Sequence, residues 1–316
     1  MQATTRRILI AAGLAATATI TTACSSSSSP AAQVKTTDTA TVYPVTINTG
    51  SGSVTIPAKP TAIVSLSPSA TEDLYAIGAG SQVKAVDKYS NYPSSAPKTS
   101  LSEVDPNVES IAGLQPDLVI VADQGQSLAS RMKTLGIPVL MLPSATKLAD
   151  VYTQMSELGE ATGHLAEATR LETSVRTQVQ TIVASIPKRS KPLTYYYELS
   201  PDFYSITSDT FMGHLLKLLG LNSIADAASG AAKSGGYPQL SAEFIIKANP
   251  DFIFLSDTLC CNQNPTLVAK RPGWAQIGAV QKDQVVGLSD DIASRWGPRI
   301  VDLMRTVATA LRKHGG

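Results

Sequence analysis

Short apolar runs alternate with longer amphipathic stretches along most of this chain. Ile63-Val64-Ser65-Leu66, Val83 to Val86, Leu118 to Ala122 and Val139 to Leu142 read as buried strands. Between the first two, Ser69 stands where a helix cap is needed, Glu72 is its capping-box partner, and Gly78 and Gly80 stop the helix. The second half has the same order. Thr194 to Leu199 is rich in β-formers, Phe211 to Leu219 is helical up to Gly220, and Phe252 to Leu255 and Val285-Val286 are further strands. Strands alternating with helices predict parallel βα units.

One segment occurs twice without a gap. Val108 to Ile120 and Ala242 to Phe254 align through Glu109 and Glu243, Ile111 and Ile245, and the Pro-Asp pairs Pro116-Asp117 and Pro250-Asp251, each followed by an apolar run. Asn107 and Ser241, both good N-caps, stand two residues before each glutamate. A short helix, a Pro-Asp turn and a buried strand give this pattern, so the chain reads as two similar lobes. Between them, Ala168, Leu171, Val175, Val179, Ile182 and Ile186 recur at steps of three and four, one face of a helix that Pro187 ends. Such a helix spans on the order of 30 Å and is a stiff connector. Gly297-Pro298 then opens a last amphipathic helix through Ile300, Leu303, Met304, Val307 and Leu311. The predicted fold is α/β: two Rossmann-like lobes, residues 55–163 and 188–316, joined by one long connecting helix at 164–187, with the ligand cleft between the lobes.

The first residues have a different character. Arg6 and Arg7 precede the uncharged, Ala-rich run from Ile8 to Ile20, then Thr21-Thr22-Ala23-Cys24. Charge, a short apolar run and small residues in that order form an export signal over residues 1–23. The small residues that stop at a cysteine resemble a bacterial lipoprotein signal, which implies lipidation at Cys24. The match departs at Thr21, where that signal usually has Leu, and a plain secretory signal is the alternative. Ser25 to Ser29 and the polar residues after them suit a flexible tether, taken as residues 24–54.

Composition narrows the function classes. The 316 residues are 43% hydrophobic with a formal net charge of +1 and no dense basic run, which argues against nucleic acid as a partner. Beyond Cys24 the only cysteines are Cys260 and Cys261, which either close a strained vicinal disulfide or stay as two free thiols. The three histidines, His164, His214 and His314, are too scattered to chelate one metal ion. No nucleophile elbow and no phosphate-cradling loop is present, so the reading is a binding protein and not an enzyme.

The export signal, two lobes and long helix resemble the periplasmic binding proteins that serve cobalamin and ferric-siderophore importers. The segments that carry this are Ile63 to Glu72, Tyr89-Ser90-Asn91-Tyr92-Pro93, Asn107 to Ile120, Gly236 to Glu243 and Ser294-Arg295-Trp296-Gly297-Pro298-Arg299. The resemblance covers residue 55 to the end. It implies a lipoprotein on the outer face of the cell membrane that delivers a ligand to an ABC permease and its ATPase. It departs before the first-lobe glutamate, where cobalamin binders often have Trp and this chain has Ser102 to Pro106. An envelope or scaffold lipoprotein on the same fold is the competing reading.

In two-lobe α/β proteins the ligand sits at the carboxyl ends of the strands. The loops there supply Tyr89, Tyr92, Phe203, Tyr204, Tyr237 and Trp296, flat rings suited to a large planar or greasy ligand, though each could simply pack its loop. Arg295 is the one good cation for an anionic ligand. A single arginine favours a near-neutral ligand, a cobalamin or a hydroxamate siderophore. No cofactor is expected beyond the metal such a ligand carries. Glu109 and Glu243, at matching places in the two halves, read either as helix-start charges or, as the resemblance implies, as the pair that docks on permease arginines.

Overall fold

The structure, a computed structural model, describes residues 41–123 and 126–314, the side chain of His314 excepted. The expected export signal and lipidation at Cys24 lie outside these residues. The described residues belong to one compact unit.

The first lobe is built on strands β3 (Ile63–Ser65), β4 (Val83–Val86), β5 (Leu118–Val121) and β6 (Val139–Met141), all parallel, in the order β4-β3-β5-β6. The second is built on β7 (Leu193–Glu198), β8 (Leu221–Ser223), β9 (Phe252–Leu255) and β10 (Val285–Gly287), parallel and ordered β8-β7-β9-β10. Numbered from its own first strand, each lobe is therefore 2-1-3-4, and the repeated sequence has its physical counterpart. Asp117 accepts hydrogen bonds from the Thr61 amide and hydroxyl at 2.7 and 2.9 Å. Asp251 accepts the same pair from Thr194 at 2.8 and 2.9 Å. In both lobes the aspartate of the Pro-Asp turn ties the start of the third strand to that of the first. The helices before these turns are α2 (Val108–Gly113) and α7 (Ala242–Ala248), capped by Asn107 and Ser241 as their residue types predict.

The connector is two helices. After β6 the chain forms α4 (Leu148–Thr162), turns at Gly163 in the left-handed region, and forms α5 (Leu165–Ala184). Val151, Tyr152 and Met155 of α4 and Val175, Val179 and Ile182 of α5 lie in a second-lobe core, whereas Leu158, Ala161 and Ala168 lie in a first-lobe core. The pair thus belongs to both lobes, which limits relative motion more than a lone connecting helix would. The two helices touch closely at Gly159, where a Cβ would stand 2.4 Å from that of Ala168.

Two expectations need correction. Residues 45–54, assigned to the tether, belong to an antiparallel hairpin, β1 (Val45–Thr49) with β2 (Gly52–Ile56), and Val45, Ile47 and Ile56 are buried in the first-lobe core. The first helix, α1 (Pro68–Ala76), is capped by Ser67 and not Ser69. Pro68 has no N–H to satisfy and its fixed φ fits the first helical position, which moves the cap one residue before it. Glu72 is then free of any capping duty.

Candidate ligand-binding cleft

Loops that follow parallel strands of both lobes enclose two adjoining cavities. One, of about 440 Å³, is walled mainly by the second lobe: Tyr197, Leu199, Ile206, Phe211, Met212 and Tyr237. The other, of about 300 Å³, is walled by Ser67, Ser69, Lys88, Tyr89, Lys98 and Glu103 of the first lobe. Asp291, Ser294, Arg295 and Trp296 line both. They come from α10 (Asp290–Ala293) and the turn that leads to α11 (Ile300–His314).

That shared strip is fastened across the lobes. Glu72 of α1 is 2% exposed, and its carboxylate accepts hydrogen bonds from Arg295 Nη1 (2.9 Å), Arg299 Nε (2.9 Å) and Arg299 Nη2. Arg295 Nη2 also donates to the Tyr89 carbonyl and to Asp291, each at 2.9 Å. Asn91 Nδ2 donates to Asp291 at 2.7 Å. The Trp296 amide donates to Ser69 Oγ and its indole Nε1 to Gln154 Oε1. One buried and one half-buried cation against one buried and one half-buried carboxylate give a compensated group, which a low-dielectric setting requires.

The expected site residues separate into two groups. Tyr89, Tyr237, Arg295 and Trp296 line the cleft. Arg295 does so without charge to offer, because Glu72 and Asp291 already hold its guanidinium. Tyr92, Phe203 and Tyr204 line neither cavity. Tyr92 covers the Arg299 guanidinium, 4.0 Å from the ring centroid, and faces a separate cavity with Tyr75 and Gln178. Phe203, with φ +66°, stacks on the buried Trp274 at 5.8 Å. Tyr204 is exposed and bridges Gln239 through its backbone. Chain order places a loop at the strand ends but does not say which way its side chains turn. Tyr197, Phe211 and Met212, read from sequence only as strand and helix residues and not as ligand contacts, carry the apolar wall. Tyr197 had a legible signal, since it stands two residues before the carboxyl end of the predicted strand Thr194 to Leu199.

Glu109 and Glu243 are exposed in the first turns of α2 and α7, one on each lobe. The Glu243 carboxyl is held below the usual range by its own backbone amide and by the Ser241 hydroxyl. Cys260 and Cys261 are two free thiols, so the vicinal disulfide is not formed. Their loop is fixed instead by Asp290, which accepts the Thr258, Leu259 and Cys260 amides. The Cys260 thiol, on the cleft wall, is pushed up to about 12 by the adjacent Cys261 and by burial, so it stays protonated. Among the described residues no group of three metal-ligating side chains is brought together.

Beneath this loop lies a second buried acid pair. Glu198 is held by Arg271 at 2.5 and 2.6 Å, and the buried Asp257 is pushed up to about 7, by burial and then by the Glu198 charge. A carboxyl with a raised folded pKa contributes stability while protonated. That contribution is complete below the ordinary 3.8 and is lost as pH rises through about 7. Asp257→Asn is therefore expected to gain stability over the parent as pH rises through this window, the gain levelling off above it. Urea midpoints at a series of pH values check this, and a difference that does not vary with pH contradicts it.

With this geometry in place, the comparisons with known proteins agree with one another. The profile of the periplasmic binding protein family matches residues 63–292. The ABC transporter substrate-binding lipoprotein YvrC of Bacillus subtilis is 32% identical over 280 residues, 85% of this chain and 86% of the relative. A cobalamin-binding protein of Halobacterium salinarum is 29% identical over 290 residues, 88% of this chain and 77% of the relative. The crystal structure of the periplasmic vitamin B12-binding protein BtuF of Vibrio cholerae superposes with a TM-score of 0.69 at 27% identity, covering 82% of this chain and 99% of that one.

Proposed function

We propose that this chain, which belongs to the periplasmic binding protein family, is the lipid-anchored receptor of an ABC importer and captures a corrinoid outside the cell membrane for delivery to the permease. The observation that carries the ligand class is the cleft's uneven chemistry. One wall presents Tyr197, Leu199, Ile206, Phe211 and Met212, with Tyr237 and Trp296 beside them. The cleft's arginine is already neutralised. An apolar, aromatic wall suits a large, flat, near-neutral ligand, whereas a multiply charged ferric catecholate or citrate needs free arginines. The relatives that bind cobalamin or vitamin B12 support the same class. A hydroxamate ferric siderophore, also near-neutral, is the next best fit.

The paired exposed glutamates support delivery, because two matching lobes present matching charges to a two-part permease. Anchoring at Cys24 keeps the receptor beside it. Cys24→Ser is expected to release the protein from the membrane fraction, and unchanged membrane association rules the anchor out. The reading as a whole is tested by uptake of cobalt-labelled cyanocobalamin at limiting concentration in cells with and without the chain. Uptake that depends on the chain supports it. Equal uptake in both, together with an envelope defect in the deletion, favours the scaffold role instead.

A further inference from the structure

The two sides of the cleft differ in charge as well as in polarity. On the first-lobe side, Lys88 and Lys98 both line the smaller cavity and both are exposed. Their backbones are held next to each other. Val86 and Lys98 form a parallel bridge, the Thr99 amide donates to the Val86 carbonyl, and the Lys88 amide donates to the Leu101 carbonyl at 2.9 Å. The two ammonium groups therefore project from adjoining, mutually bonded segments and not from independent loops.

The other charges of that cavity are already engaged. Arg295 is bound by Glu72, Asp291 and the Tyr89 carbonyl. Asp291 is shared between Arg295 and Asn91. Glu103 accepts the Ala122 amide at 2.6 Å. Lys88 and Lys98 form no ion pair among the described residues, and Lys88 only rests over the Tyr89 ring, 4.9 Å from its centroid. On the opposite side the Asp290 carboxylate is filled by backbone amides, and the wall is apolar. A ligand seated in the cleft thus meets apolar surface on the second lobe and two uncommitted cations on the first.

We propose that Lys88 and Lys98 form an anion subsite on the lip of the first lobe, which grips a single phosphodiester or carboxylate at the edge of a ligand whose apolar face lies on the second-lobe wall. This rests on the ligand-capture reading above and adds an orientation to it. Two cations that approach one anionic group from paired segments fix which edge of the ligand points to the first lobe. Cations of this kind act with modest strength, because water and salt screen them.

The test compares ligands that carry an anionic group with counterparts that lack or mask it, on the wild type and on K88A/K98A. Cyanocobalamin carries a nucleotide phosphodiester that dicyanocobinamide lacks, and hemin carries two carboxylates that hemin dimethyl ester masks. The double variant is expected to bind cyanocobalamin more weakly, on the order of tenfold, with a flatter salt dependence, while dicyanocobinamide binding and melting temperature stay unchanged. K98E should weaken cyanocobalamin further. If the double variant binds cyanocobalamin as the wild type does, or loses both corrinoids equally, the subsite is overturned and corrinoid capture stands. If only hemin binds, and does so through the lysines and not as its dimethyl ester, the corrinoid reading falls and the subsite stands as a carboxylate site. Failure of the wild type to bind any of the four overturns both.

Discussion

Glu72→Ala is expected to destabilise the protein by about 3–5 kcal/mol, the usual effect of removing one partner from a buried ion pair. The substitution leaves Arg295, 6% exposed, with the half-buried Asp291 and the Tyr89 carbonyl, and leaves Arg299 bonded to no carboxylate among the described residues. Both guanidiniums must then recruit water into the junction of the lobes or move out of it. Either response shifts Trp296, whose amide is bonded to Ser69 one turn from Glu72. Ligand affinity should therefore fall along with stability. Urea unfolding supplies the check, and a loss below about 1 kcal/mol contradicts the assignment. Replacing Glu72, Arg295 and Arg299 together by apolar residues should recover part of the stability but not the affinity, since buried ion groups exchanged as a set are often nearly neutral. That contrast separates what the cluster does for the fold from what it does for the cleft.

The second large effect concerns delivery. Glu109→Ala combined with Glu243→Ala is expected to lower uptake about tenfold or more, the scale on which charge steering acts on association rates. Ligand affinity and melting temperature should stay nearly unchanged, because both side chains are exposed and neither lines the cleft. Each single change should give an intermediate loss, and raised salt should weaken docking of the parent. Uptake at the parental rate in the double variant would reduce both glutamates to helix-start charges, a role their capped positions already explain.

What was legible in the sequence is what local rules govern. The aligned Glu–Pro-Asp segments predicted two like lobes because one set of hydrogen bonds, from Thr61 to Asp117 and from Thr194 to Asp251, is needed in each. The helix at 165–184 was legible because its buried face repeats at steps of three and four. The hairpin at 45–56 carried a signal that its neighbours hid. Val45, Ile47, Val54 and Ile56 alternate with polar residues, but the Ser- and Thr-rich surroundings read as tether. Helix α4 was missed because only the second helix of the pair has a Pro to mark its end.

The site was less legible, for a different reason. Glu72 looks like a capping-box acid in sequence, and its true partners lie more than 220 residues away. No spacing rule reaches that far. The same pairing changes the meaning of Arg295, from a free receptor for anions to a fastener between lobes. Lys88 and Lys98 are single charges in irregular segments and carry no period, so only the folded chain shows that they meet at one cavity. Tyr92 and Phe203 belong to the expected loops but are drawn away by nearer partners, the Arg299 guanidinium and the Trp274 ring.

The most direct test of ligand capture is calorimetric titration of the purified protein with cyanocobalamin. The cleft geometry predicts saturable one-to-one binding, recovery of the ligand unchanged, and loss of affinity on replacing Trp296, which lines both cavities, by Ala. Absence of saturable binding to cyanocobalamin, hemin and a ferric hydroxamate alike, or turnover of any of them, would contradict it.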